Sequence, residues 1–104
     1  MDQQQATIVL RRTSSEDVGV REIYVTIDGR DAGVLRPGDI VTKQVPPGRH
    51  VVKASNTLFR TTVEFDAAEG ETIRYQCENG LSPGGIVMVL FMGVAYLKVK
   101  LVRL

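Results

Sequence analysis

The sequence predicts an all-β fold, a small antiparallel immunoglobulin-like β-sandwich of seven to nine strands. Three observations carry this prediction. Apolar and polar residues alternate with a period of two, turn residues recur at short intervals, and no stretch before residue 80 has the apolar spacing of an amphipathic helix. Many short strands separated by regular turns are typical of sandwiches. A chain of 104 residues has the length of one domain, and we treat residues 1–104 as a single one.

Four strands are predicted in the first half of the chain. The first covers residues 6–12, and the second covers residues 21–28, where every second residue is a β-branched apolar one. Asp28-Gly29 ends the second strand, because both residue types tolerate the positive φ of a tight turn. A short extended piece over residues 33–36 and a strand over residues 40–45 follow.

The second half of the chain contains the strongest turn signal, Pro46-Pro47-Gly48. Two prolines fix φ and remove two hydrogen-bond donors, and the glycine frees the next corner. Alternation then resumes over residues 49–56, 59–65 and 73–77 and predicts three more strands. A final strand is indicated at the C-terminus, where Leu97, Val99 and Leu101 alternate with lysines.

Residues 20–77 resemble the PEGA-like domains, which are small bacterial β-sandwich modules. The resemblance rests on Val25-Thr-Ile-Asp-Gly29, Gly33, Pro37-Gly38, Val45-Pro-Pro-Gly-Arg-His50, Phe65 and Glu69-Gly-Glu71, in that order. It implies an immunoglobulin-like or transthyretin-like sandwich and a noncatalytic role. Ser55–Phe59 stands where that family has a glycine-aromatic pair, and the apolar C-terminal segment is not part of the usual module.

Residues 86–104 differ in character from the rest of the chain. Residues 86–97 are twelve residues without a charge, and Lys98, Lys100 and Arg103 follow them. Twelve helical residues span only about 18 Å, whereas a membrane-spanning helix needs about 30 Å. This segment is therefore expected to be a core strand or a short helix plus a strand, a subunit interface, or a membrane contact. Residues 86–104 are treated as an apolar C-terminal strand or interface segment.

The leading functional hypothesis is a noncatalytic binding or assembly module that associates through a sheet edge and this apolar segment. Its partner would be another protein or a second copy of the chain, forming a homodimer, because surplus apolar surface usually marks an interaction site. The expected interface residues are Ile86, Val87, Val89, Leu90, Phe91 and Leu97. One alternative is peripheral membrane contact, in which Lys98, Lys100 and Arg103 meet anionic head groups.

A second alternative is binding of a small ligand or carbohydrate through the loops at residues 28–33 and 46–49. The loop residues expected to matter are Asp28, Gly29, Pro46, Pro47, Gly48 and His50. Under this alternative the loops would be sensitive to substitution and the C-terminal segment would tolerate it.

Several other classes of function have little support in the sequence. A net charge of +1 and arginines interleaved with acids, Arg12 among them, predict a mixed solvated surface and no nucleic-acid binding. His50 and Cys77 are interpreted as structural residues, because one histidine and one cysteine make neither a zinc set nor a spaced catalytic pair.

No cofactor, metal or enzymatic activity is expected. A calcium loop at Asp28, Asp31 and Asp39 is the weaker reading of three turn acids. The alternating acids Glu64, Asp66, Glu69 and Glu71 predict a solvated edge rather than an acid–base pair. The first residues lack the pattern of a secretion signal, and Cys77 is the only cysteine, so we expect a cytoplasmic protein.

Overall fold

The part of the chain that the structure describes contains eight strands and no helix. The computed structural model describes residues 4–15, 17, 21–57, 59–81 and 97–104. The strands are β1 (Ala6–Arg11), β2 (Ile23–Ile27), β3 (Arg30–Leu35), β4 (Ile40–Val45), β5 (Gly48–Ser55), β6 (Arg60–Ala67), β7 (Thr72–Leu81) and β8 (Leu97–Arg103). The prediction of an all-β fold is confirmed.

The strands form two packed four-stranded sheets. Sheet A has the order β4-β1-β7-β8, and sheet B has the order β3-β2-β5-β6. The expectation of a wholly antiparallel fold is wrong for one ladder, because β1 runs parallel to β7 with Thr7 opposite Thr72. A short turn forces two neighbouring strands to be antiparallel. No such turn links β1 to β7, because five strands lie between them in the sequence.

The core lies between the sheets and follows from the period-two alternation. The inward residues of both sheets are buried and form one cluster: Ala6, Ile8, Leu10, Ile23, Val25, Ile27, Ala32, Leu35, Val45, Val52, Ala54, Phe65, Ala67, Ile73, Tyr75, Cys77 and Val99. Phe65 and Tyr75 pack with ring centroids 5.8 Å apart. The Arg103 guanidinium lies 6.0 Å and 5.8 Å from these two ring centroids and covers their end of the core.

The sandwich has two ends, which we name by what they carry. The cleft end holds the Asp28–Gly29 turn and the start of β5, where Gly48 pairs with Ala67. The hairpin end holds the last pair between β7 and β8, Leu81 opposite Leu97. β7 starts at the cleft end and finishes at the hairpin end, so these two regions are separated by the length of the sheets.

Arg12 does not lie on the solvated surface that the sequence predicts; it is 1% exposed. Its guanidinium donates to the backbone oxygens of Arg21 and Leu35 at 2.6 Å and 2.8 Å. It also forms an ion pair with Asp17, with Nε 2.9 Å from Oδ2. Burial of this arginine is tolerated because its donors face three acceptors, two backbone carbonyl oxygens and one carboxylate.

Candidate functional site

A cleft of about 500 Å³ opens at the cleft end of the sandwich. Its lining residues come from the β2–β3 hairpin, the end of β4, and β5: Ile27, Asp28, Arg30, Asp31, Ala32, Lys43, Gln44, Val45, Pro46 and His50. Both sheets therefore contribute to it. The volume lies in the range of about 300–1,000 Å³ that is usual for small-molecule sites.

The Asp28-Gly29 turn positions the first wall of the cleft. Both residues have positive φ, 53° and 81°, and Ile27 pairs with Arg30 on either side of them. A two-residue loop with this backbone matches the twist of the flanking strands. The Asp28 N–H donates to Val51 O at 2.8 Å, and the Asp28 carboxylate accepts from the Val51 N–H at 2.8 Å. The turn is thereby fixed to β5.

His50 joins this turn to the proline loop. Its Nδ1 lies 2.6 Å from Asp28 Oδ2, and its Nε2 lies 2.6 Å from the Pro46 carbonyl oxygen. A backbone carbonyl can only accept a hydrogen bond, and so can an ionised carboxylate. Both ring nitrogens must therefore donate, and the geometry fits a protonated imidazolium. This ring is 7% exposed, so it is held away from bulk water.

The surroundings shift the pKa values of both partners toward the charged forms. Desolvation acts most strongly on His50 and opposes the charge, but the hydrogen bonds to Pro46 and Asp28 outweigh it and raise the pKa of His50. Desolvation is also the largest single effect on Asp28. Together with the nearby charges, the hydrogen bonds from His50 and Val51 outweigh desolvation, so the pKa of Asp28 is lowered. The pair is best described as an ion pair.

The sequence-predicted loop residues divide into two groups. Asp28, Pro46 and His50 come together in the cleft, whereas Gly29, Pro47 and Gly48 do not line it. Gly29 and Gly48 instead supply the positive φ that their turns need, 81° and 133°.

Three polar lining residues were not singled out individually from the sequence, namely Arg30, Lys43 and Gln44. Arg30 lies within the loop over residues 28–33 that is expected to bind a ligand, whereas Lys43 and Gln44 lie in a predicted strand. A bulge in the β2–β3 ladder, where Val25 faces Gly33 and Thr26 faces Asp31, leaves Ala32 as the extra residue. Ala32 is buried and lines the cleft. Such a bulge has no clear signal in a single sequence.

The predicted interface residues lie mostly outside the described part of the chain. Ile86, Val87, Val89, Leu90 and Phe91 fall there. The backbone of Leu97 begins β8 opposite Leu81, and that of Lys98 pairs with Gly80.

The remaining two predicted rim residues of β8 do not share one surface. Lys100 is exposed and pairs with Glu78. Arg103 lies over the rings of Phe65 and Tyr75, 3.8 Å from a Glu71 oxygen. Arg103 therefore caps the core, and only Lys100 among the described side chains of this group has the position of a rim charge.

The other chemically reactive residues are engaged or buried. Burial raises the pKa of the Cys77 thiol to about 12, even though the Arg12 charge opposes this. Glu64 and Asp66 are exposed and both pair with Arg49.

The three turn aspartates of the calcium hypothesis do not converge. Asp39 accepts from the Arg36 N–H near the far end of β3, and Asp31 accepts from the Gly33 N–H near the cleft. Within the described ranges, no three histidine, cysteine or acidic residues are grouped as metal ligands.

A scan of the chain against protein-family models and a search of curated proteins both gave no match. In the ranges that the structure covers, no helix is long and apolar enough to span a bilayer. The functional argument therefore rests on the residues and their geometry.

Proposed function

We propose that the chain is a noncatalytic assembly module that forms a homodimer through the apolar segment at its hairpin end. The observation that carries the proposal is the pairing of Leu81 with Leu97. It brings both ends of a 15-residue connection, residues 82–96, to one point at the end of sheet A. Residues 86–96 of that connection carry no charge, so the stretch of sequence between these two paired strand ends is apolar.

The energetics of burial favour association through this segment. Each fully buried large apolar side chain contributes about 1.5–3 kcal/mol. Six such residues would contribute about 9–18 kcal/mol, against an association cost of about 4–15 kcal/mol. The expected six are Ile86, Val87, Val89, Leu90, Phe91 and Leu97. The core cluster of the described residues already contains 17 apolar side chains from both sheets, and the proposal assigns residues 86–96 to the interface rather than to this core.

The edge strand β8 has a secondary part in the proposal. Lys100 is exposed on β8, and Lys98 lies two residues before it. Lysines on an edge strand oppose direct edge-to-edge pairing, because like charges would meet along the ladder. We assign these lysines to the rim of the interface and the apolar segment to its centre.

The finer classification of the fold belongs to the same proposal. Residues 20–77 would be a PEGA-like module with an immunoglobulin-like arrangement, acting in the cytoplasm. Two features support the resemblance: Val25 to Gly29 ends in a two-residue hairpin turn, and Pro46-Pro47 leads directly into β5, which begins at Gly48.

The test is the molar mass of the full chain, measured by light scattering on a sizing column without detergent. We expect a dimer that dissociates on dilution. The double variant Val89→Glu, Phe91→Glu should be a monomer, because charged groups at an apolar interface are costly to desolvate. The matched control is Thr62→Glu, which adds a charge on the exposed outer face of β6 and should leave the dimer intact.

Two results would contradict self-association. The full chain would be monomeric at all concentrations, or the double variant would remain dimeric with an unchanged circular dichroism spectrum.

Sedimentation with vesicles containing phosphatidylserine tests the membrane alternative. Salt-sensitive binding of a monomer to those vesicles would replace the dimer with a peripheral membrane function.

A further inference from the structure

The cleft at the opposite end of the sandwich can still donate hydrogen bonds to a ligand, but its carboxylates are not available as acceptors. Two carboxylates line it, and both are engaged within the protein. Asp28 accepts from His50 and from the Val51 N–H, and Asp31 accepts from the Gly33 N–H at 3.1 Å.

The two basic side chains of the lining, those of Arg30 and Lys43, are not engaged in this way. Arg30 and Lys43 are exposed, and within the described part of the chain neither side chain makes a hydrogen bond or an ion pair, although the Arg30 charge helps to lower the pKa of Asp28. The donors that these two side chains offer to a ligand are a guanidinium and an ammonium.

The charge balance of the cleft is positive. The imidazolium of His50 neutralises Asp28, because both of its nitrogens face acceptors. Arg30 and Lys43 then stand against the single charge of Asp31, which leaves one net positive charge. Beneath these polar groups, Ile27, Ala32 and Val45 are buried apolar residues of the same lining.

We infer that this cleft binds a small organic anion, a carboxylate or phosphate ester with a short apolar part. The anionic group would lie between Arg30 and Lys43, where a planar guanidinium and a flexible ammonium suit oxyanions. The apolar part would contact Ala32 and Val45. A volume of about 500 Å³ fits a ligand of this size.

The test is a titration of the full chain with sodium butyrate, followed by the amide chemical shifts in two-dimensional NMR at constant ionic strength. Shifts should concentrate in residues 27–32 and 43–45. The neutral comparators n-butanol and methyl glucoside have no anionic group, and they should give shifts at least fivefold smaller. A neutral probe that binds as well as butyrate would overturn the inference.

Matched variants locate the anion. Lys43→Gln and Arg30→Gln should each weaken butyrate binding about fivefold, the effect expected for one partly exposed ion pair. Lys53→Gln, which neutralises a lysine on the outer face of β5, should leave the affinity unchanged. An equal loss in all three variants would show general charge screening and would overturn the site. Because the shifts are read at the cleft end, the result does not depend on whether the hairpin end forms a dimer.

Discussion

At the scale of single residues, His50 gives the protein a pH-dependent stability with a defined sign. Its folded-state pKa is raised above 6.5, so its contribution is complete below pH 6.5 and is lost as the pH rises through the raised value. The pKa of Asp28 is lowered below 3.8, so its contribution is complete above pH 3.8 and is lost as the pH falls through the lowered value. We expect the pair to stabilise the fold most between these limits.

The measurement is the free energy of urea unfolding from pH 5 to pH 9, followed by circular dichroism. Wild-type stability should fall by about 1 kcal/mol over the alkaline half of this range, as the hydrogen bond to Pro46 loses its proton. His50→Gln should be less stable at pH 5 and flatter with pH. Parallel curves for the two proteins would assign the pH dependence to other groups.

Cys77 is also predicted to be inert, for a reason visible at one residue. It is fully buried on β7, and its thiol pKa is raised to about 12, so almost no thiolate forms near pH 8. Reaction with a disulfide reagent should be about a thousandfold slower in the native protein than for free cysteine. One thiol should react at once in guanidinium chloride. Fast labelling of the native protein would indicate that β7 opens.

At the scale of elements, Arg12 joins strand ends from both sheets. It follows β1 of sheet A, and it donates to Leu35 O at the end of β3 and to Arg21 O just before β2. Arg12→Leu would leave Asp17 and two carbonyls without these donors, and we expect a loss of about 3 kcal/mol in the free energy of unfolding.

The neighbouring residue provides a matched control for that substitution. Arg11 lies on the outer face of β1 and is partly exposed, and its buried Nε has no hydrogen-bond partner among the residues that the structure describes. Arg11→Leu should therefore change the stability by less than about 0.5 kcal/mol. Urea denaturation of both variants measures the difference. If both variants lost the same free energy of unfolding, the buried hydrogen bonds of Arg12 would contribute nothing beyond the effect of removing one positive charge.

The contrast between these elements shows what a single sequence contains. Strand alternation is local, so the inward faces of β2, β5 and β7 could be predicted from residues two apart. The parallel β1–β7 ladder and the burial of Arg12 depend on partners far along the chain, and no local pattern encodes them. The cleft is partly predictable for the same reason. Turn chemistry marks Asp28 and Pro46, whereas the position of Arg30 and Lys43 in one cleft is apparent only when the two sheets are packed together.

At the scale of the whole molecule, the proposal requires that the sandwich fold without the segment between β7 and β8. The pairing of Leu81 with Leu97 suggests a direct variant in which Asn-Gly replaces residues 82–96 and closes the hairpin with a two-residue turn. Light scattering should give a monomer. Compared with the monomeric double variant Val89→Glu, Phe91→Glu, urea unfolding should show a free energy raised by about 1 kcal/mol, because a shorter loop costs less entropy to close.

A chain ending at residue 83 provides the necessary contrast, because it also removes β8. Val99 is 1% exposed in the core, and Leu101 packs against that cluster, so this truncation should unfold. If the Asn-Gly variant were as unstable as the truncation, the apolar segment would be core rather than interface, and self-association would be excluded. If it folds as a monomer while the full chain is a dimer, folding and assembly are carried by separate parts of one small domain.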